Sequence, residues 1–346
     1  MKTSMRYFPA LQLFAAVTPL FLLELTATAE PTKREVKHDA IVAAQIMLDR
    51  AGFSPGEIDG QNGRNFEQVL LAFQQANKLE PTGELDEGTS VALESASGAH
   101  PLFIDYSITA EDADALVPKI PEKMEEKAKL PALGYISVKE RIAERFHVEP
   151  ELLASLNTEV KFAVGDKIKV PNVELSEDNP GKLEKRKLPS ASTELARDSS
   201  ATSQTTPAEG RLTITVSKST SILTLTDSTS RTIFVAPVTS GSDHDLLPIG
   251  EWKVQGVERN PAFNYSPDLF WDAKPGDKKA KLPAGPNNPV GVAWIDISKP
   301  HYGIHGTPEP GKIGHTESHG CVRLTNWDVL RLAKFVKPGT RVLFTD

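Results

Sequence analysis

Apolar residues recur at helical spacing early in the chain and alternate with polar ones late in it, so the two halves predict different architectures. Ile41, Ala44, Leu48 and Ala51 fall on one helix face before Gly52 stops it, and Val69, Phe73 and Ala76 mark a second helix with Asn65 as its predicted cap. The intervening stretch, 52–63, is dense in Gly and Asp and reads as a compact loop of tight turns. After a turn at Thr82-Gly83, Asp86 stands where it would cap a short third helix ending at Leu93. A second unit predicts a βααβ order. Residues 135–137 read as a strand, Ser137 and Glu140 have capping-box spacing for a helix through Phe146, and Pro150 opens another that Asn157 closes. Residues 167–171 then return as a strand. Residues 174–210 hold Ser, Thr, Pro and charge with almost no large apolar side chain, which predicts a flexible tether.

Beyond that stretch the period changes to two. Residues 211–216, 222–225, 232–235, 251–254 and 291–297 are short β-branched or alternating runs separated by Ser, Gly, Pro and Asp, so this region predicts a mostly β domain. Near its end, Leu330, Ala333 and Val336 predict a helix with Asn326 as cap, Asp328 in the first turn, and Lys334 and Lys337 in the last. Residues 341–344 offer a closing strand.

Composition narrows the classes. A chain of 346 residues with 39% hydrophobic and 25% charged residues is ordinary for a folded protein and too long for one small core. Its net charge of −7 argues against nucleic acid as a partner while leaving a glycan or a peptide open. Lys2 and Arg6 precede an apolar stretch, 8–25, and Ala27-Thr28-Ala29 fits a small-residue cleavage site, so residues 1–29 predict a signal peptide and an exported protein. Pro9, Pro19 and Glu24 interrupt that run, which disfavours a permanent membrane span. The expected location is the periplasm or cell wall.

The candidate chemistry centres on Cys321, the one cysteine of the sequence. In an exported chain it has no partner for an internal disulfide, and its setting, Ser318-His319-Gly320-Cys321, is polar and glycine-bearing as befits an exposed turn. A thiol needs a base or a positive neighbour to react at neutral pH, and His305 and His319 are the imidazoles available. Zinc is disfavoured, since glycines and Pro308 and Pro310 break the helix that the His301/His305 and His315/His319 spacing would need. Calcium at Asp59 is disfavoured too, because Glu57 is the single acid beside it. No cofactor is expected.

Three stretches carry resemblances. Gly250, the run 288–291, Tyr302-Gly303-Ile304-His305-Gly306-Thr307, Ile313-Gly314 and the run 318–324 together resemble the L,D-transpeptidase (YkuD) domain over residues 211–346. Pro248-Ile249-Gly250 departs from that family's usual Thr-Pro-x-Gly at the rim of the site. Leu48, Gly52-Phe53, Asp59-Gly60, Phe73-Gln74, Thr82-Gly83 and Leu93 resemble a peptidoglycan-binding helical domain over 38–94. Ala143, Phe146, Leu153, Asn157, Gly165 and Val170-Pro171 resemble a LysM module over 134–173. These resemblances imply a YkuD-like β-sandwich with a C-terminal helix, preceded by a three-helix domain and a βααβ module. They imply a cysteine enzyme whose partners are peptidoglycan stem peptides and glycan strands, with a second stem, a wall-attached protein or water as acceptor. Cys321 would be the nucleophile, His305 its base, and His319, Gly320 and Ser318 would shape the site. Arg323, Gly306, Thr307 and Tyr302 would meet substrate.

Overall fold

The computed structural model describes residues 33–173, 211–271 and 273–346. The proposed signal peptide and the linker 174–210 lie outside them. Among the described residues no helix is long and apolar enough to cross a membrane.

The N-terminal module consists of helices α1 (Lys33–Arg50), α2 (Arg64–Ala76) and α3 (Glu87–Ser97). Asp86 caps α3 as expected, its carboxylate accepting the Thr89 N–H at 2.7 Å. Asn65 does not cap α2. Gly63 occupies that position, and the Asn65 amide instead donates to the Ile313 carbonyl, 2.8 Å away in the C-terminal domain. Asp59 is held by Gln45 and by the Gln61 N–H, at 2.7 and 2.9 Å, which makes its loop a self-bonded turn.

The second module pairs strand β1 (Phe103–Ser107) antiparallel with β2 (Lys167–Pro171), and between them run α4 (Met124–Lys127), α5 (Val138–Arg145) and α6 (Pro150–Ser155). The strand expected at 135–137 is therefore misplaced. Ser137 caps α5, the Ile136 N–H is taken by the Glu140 carboxylate, and the Tyr135 hydroxyl donates to Glu144, so this segment is committed to the helix entrance. Asn157 ties the end of α6 to β2 through the Leu153 carbonyl and both backbone groups of Lys169. Residues 108–136 form an insertion between β1 and the helix pair.

The C-terminal domain contains β3 (Thr213–Ser217), β4 (Ile222–Thr226), β5 (Thr232–Pro237), β6 (Thr239–Ser240), β7 (Gly250–Arg259), β8 (Phe263–Tyr265), β9 (Ala280–Leu282), β10 (Ala293–Ile297), β11 (Gly303–His305), β12 (Val322–Arg323), helix α7 (Asn326–Phe335) and β13 (Arg341–Thr345). Nine of these strands make one sheet in the order β5-β4-β3-β13-β7-β10-β11-β12-β6. The long β7 pairs with β13 along its first half and with β10 along its second, so the sheet divides into two halves that share one strand. Both halves and α7 contribute to a single core that includes Ile214, Leu225, Phe234, Val254, Ile295, Ile304, Val322 and Leu332. This is the wrapped, sandwich-like arrangement expected of a β domain. Thr325, one residue earlier than predicted, caps α7, and Asn326 is freed for other bonds.

The three modules are not strung on a tether. Ile222 and Val235 of the sheet are buried in the core of the first module, beside Phe53, Leu70 and Phe73. Val42 and Ile46 of α1 are buried in the core of the second, beside Ile142 and Phe146. Phe53 forms a parallel bridge to Val235, with Ser54 N–H to Val235 O at 2.8 Å and Val235 N–H to Gly52 O at 2.9 Å. Free swinging of the modules on the tether expected at 174–210, which itself lies outside the described residues, does not fit cores that are shared. The sequence pattern could not show this, because the same apolar faces serve a lone module or a docked one.

Candidate active site

Strands β11 and β12 run parallel with Ile304 opposite Val322 and His305 opposite Arg323. Extending the register by one residue sets Cys321 opposite Gly303. Side chains alternate across a sheet, so Cys321, His305 and Arg323 project from one face, and the buried Ile304 and Val322 from the other. On β10, Trp294 lies opposite His305, and the two rings stack with centroids 5.3 Å apart and planes 14° from parallel. Gly303 has no side chain because Trp294 fills that space. A Cβ there would lie 2.4 Å from the indole.

His305 is 4% exposed, and its Nδ1 lies 2.7 Å from the Gly306 carbonyl. A carbonyl can only accept, so the proton is on Nδ1 and the lone pair is on Nε2. Burial, assisted by the charge of Arg323, holds the imidazole at about 3, against which the Gly306 bond pulls upward. His305 is therefore held in its neutral form throughout the physiological range.

Cys321 is a free, half-buried thiol whose Sγ lies 3.8 Å from the His301 carbonyl. Burial pushes the thiol up, while the Gly303 N–H and the Arg323 guanidinium pull it part of the way back and Asp245 adds to the rise. The resting pair is thus neutral thiol and neutral imidazole, with Arg323 as the cation that favours thiolate. In Arg323→Met the alkylation of Cys321 by iodoacetamide is expected to slow several-fold at pH 7.5, with its pH midpoint displaced upward. An unchanged midpoint would mean that Arg323 does not act on the sulfur.

The turn carrying the thiol is fixed by Ser318. Its hydroxyl donates to the Cys321 carbonyl at 2.6 Å and accepts the Gly241 N–H at 2.7 Å, and its own N–H bonds Gly241 O. Ser318 thus holds the backbone in place of reacting. Gly320 sits at φ +92°, and a Cβ there would meet the Tyr302 ring at 2.5 Å, so both backbone shape and packing require glycine. Tyr302 is half-buried against this turn, and its hydroxyl is pushed up by burial and by the nearby Asp245 and Cys321. His319 lies against Phe270 and Trp271, with ring centroids 4.9 and 5.7 Å away.

Gly306 and Thr307, expected to meet substrate, are buried. A Cβ on Gly306 would meet Asn326 Oδ1 at 2.3 Å, and Thr307 Oγ1 accepts the Glu309 N–H. They build the turn that carries the carbonyl on which His305 rests. Asn326 sits beneath it, accepting Val292 N–H and donating to Glu144 and to the Pro286 carbonyl. Trp294, Asp245, Phe270 and Trp271 lie outside every motif that the sequence offers. Only the cross-strand register, set by residues distant in sequence, brings them to the site.

A polar cleft of about 270 Å³ lies elsewhere, where the loop 55–66 of the first module meets Glu149 and residues 310–315. Burial, reinforced by Glu149 and Asp59, pushes the carboxyl of Glu57 in this cleft up to about 8. None of the residues that define the thiol site lines it.

A thiol and a tautomer-fixed imidazole on one face of adjacent strands are the groups that cysteine acyl-transfer or hydrolytic chemistry would need. Residues 211–343 match the L,D-transpeptidase catalytic domain (YkuD), and residues 37–93 match a domain described as "Putative peptidoglycan binding domain". The chain therefore carries a catalytic domain of the L,D-transpeptidase (YkuD) type behind a peptidoglycan-binding module. Similar proteins include "Putative L,D-transpeptidase YqjB" of Bacillus subtilis, 34% identical over 32% of this chain and 59% of that protein. "Probable L,D-transpeptidase YbiS" of Escherichia coli is 36% identical over 34% of this chain and 39% of its own length. The chain thus spans less than two thirds of these relatives. Among solved structures, an L,D-transpeptidase from Mycobacterium smegmatis aligns over 40% of this chain and 59% of its own at 14% identity and a TM-score of 0.33. The two matched stretches do not include residues 134–173, so the LysM resemblance of the second module stands on the residues quoted above.

Proposed function

We propose that this protein is an exported L,D-transpeptidase, in which Cys321 takes an acyl group from a peptidoglycan tetrapeptide stem and passes it to an amine. The observation that carries the reading is the Nδ1–H to Gly306 bond of His305, which leaves a basic Nε2 on the sheet face that Cys321 shares. As the sulfur attacks the stem carbonyl, its proton goes to Nε2 and the developing oxyanion is met by the backbone N–H groups of Gly320 and Cys321. Collapse breaks the peptide bond to D-alanine, whose amine takes the proton from His305, and a thioester remains. An acceptor amine then attacks, His305 removes its proton, and the thiol is released. Burial keeps the imidazole unprotonated at rest, so its Nε2 lone pair is open to the thiol proton; the same burial weakens it as a base, so the proton moves in step with the attack and no ion pair forms beforehand.

The amine acceptor is a second stem or a wall-attached protein, and the glycan strand is held by the N-terminal modules, the LysM-like one included. Product analysis of the purified chain with muropeptides tests this. Release of D-alanine with a cross-linked dimer is expected, together with a covalent carbapenem mass on Cys321. Release without dimer would make water the acceptor and the protein a carboxypeptidase. No release and no adduct on a thiol shown to be free would overturn the reading.

A further inference from the structure

The hairpin β8–β9 and the segment after β8 stand outside the nine-stranded sheet. They carry Phe270 and Trp271, which contact His319 two residues before the thiol. Trp271, 57% exposed, also stacks on His244 with centroids 4.4 Å apart, so the loop bearing His244 and Asp245 meets the hairpin segment in an arch at the site. Leu246, Ile249 and Leu269 are exposed beside these residues in sequence.

The arch has little of the catalytic domain's core beneath it. Its apolar residues, Phe263, Tyr265, Phe270, Ala280 and Leu282, cluster instead with Ile120, Met124, Leu130 and Leu133 of the insertion 108–136. The backbone contact is close on both sides. Leu133 N–H donates to Ala284 O and Leu133 O accepts Asn287 N–H, each at 2.9 Å, and a Cβ on Gly285 would lie 2.2 Å from the Leu133 carbonyl oxygen. The Asn287 amide bonds Gly134 O and the Glu140 carboxylate, and Lys278 N–H reaches Glu125. Phe270 belongs both to this cluster and to the edge of the His319 ring.

We propose that residues 120–133 of the N-terminal half are a clasp for the arch, and that Phe270 is the positioning residue through which the clasp sets His319 beside Cys321. The inference rests on the acyl-transfer reading only for its consequence, namely that the arch orders the stem for attack. A hairpin packed on a neighbouring module takes its position from that module, and its rings carry the position to the thiol turn. The catalytic domain cut at residue 211 would retain Cys321 and His305 but lack the clasp.

The test uses the full chain with Ile120→Asp and Met124→Asp combined, two half-buried positions on the insertion's side of the cluster. Hydrogen exchange of residues 263–271 is expected to accelerate, Cys321 alkylation by iodoacetamide to rise several-fold, and KM for stem peptide to rise about tenfold with kcat reduced less. Phe270→Leu, which keeps an apolar side chain in the cluster but removes the ring edge from His319, is expected to reproduce the alkylation and KM changes, and Phe270→Tyr to restore them. Faster exchange confined to 117–133, with exchange of 263–271 and alkylation as in wild type, would overturn the clasp. Wild-type behaviour of Phe270→Leu would overturn the role of Phe270, and serves as the test should the double variant fail to fold. Exchange and alkylation need no transferase activity, so their response in a chain inert toward stems would retain the clasp and reject only the acyl-transfer reading.

Discussion

In Cys321→Ala no D-alanine release should be measurable, and in His305→Gln acylation should be slowed by about 10²–10⁴-fold, the usual worth of a positioned general base. Glutamine is the informative replacement because its amide can still donate toward Gly306, so packing against Trp294 is kept while the Nε2 lone pair is lost. The pH profile separates this arrangement from a thiolate–imidazolium pair. A buried imidazole held at about 3 does not take up a proton between pH 8 and pH 5, so His305 should impose no acid limb near its ordinary value. Acylation of wild type should instead rise with pH as the buried thiol begins to ionise. A rate that halves near pH 6.5 and is insensitive above it would contradict a neutral base. Stability offers an independent check. The unfolded chain protonates this imidazole near 6.5 and the folded chain only near 3, so the unfolded state binds more protons in that interval and stability falls as pH drops through it. His305→Gln should remove that part of the acid loss.

The chemistry was legible in the sequence because it resides in two short stretches. A lone cysteine flanked by glycine and histidine, with a second histidine sixteen positions earlier, points to a candidate thiol and two candidate imidazoles, and the resemblance selects His305 between them. What could not be read is everything set by register. Trp294 is a half-buried aromatic on any reading of its strand, and its stacking on His305 follows only from the β10–β11 pairing. Ser318, expected to shape the site, engages its hydroxyl as donor to the Cys321 carbonyl and acceptor from the Gly241 N–H, and the second of these partners is distant in sequence. The capping errors have one origin. Asn65 and Asn326 stand one or two residues from helix starts and have the chemistry of caps, but tertiary partners, Ile313 O and the Val292–Glu144–Pro286 set, claim their side chains. Local preference lost to tertiary contacts, contacts between modules among them.

Those contacts include a buried polar junction, and disrupting it is expected to give the largest loss of stability. Asp49 of α1 is fully buried, with His147 Nδ1 at 3.0 Å from one carboxylate oxygen and Arg331 of α7 at 3.3 Å from the other, while Arg331 also donates to the Asp49 carbonyl at 3.0 Å. Three modules therefore meet at one carboxylate. Burial alone would raise Asp49, but Arg331 and His147 outweigh it and hold the group at about 2. Its neighbour Asp328, which accepts from Ser54 at 2.9 Å, goes the other way, pushed up to about 6 by burial and by Asp49 itself. Removing one member of such a set strands the others, and Asp49→Ala is expected to lower the stability of the chain by about 3–5 kcal/mol. A denaturant transition that is single in wild type should separate into two as the helical modules part from the sheet. The double variant Asp49→Ala, Arg331→Met should recover part of the loss, because no guanidinium is then left buried without its counter-charge. Since Asp49 is depressed, its contribution is present above its unfolded value near 3.9 and is lost as pH falls toward 2. The difference between wild type and Asp49→Ala should therefore shrink below pH 4 and, because Asp49 itself raises Asp328, should level off only above about 6, once Asp328 has ionised as well. A loss under 1 kcal/mol would mean that the shared apolar cores alone hold the modules together.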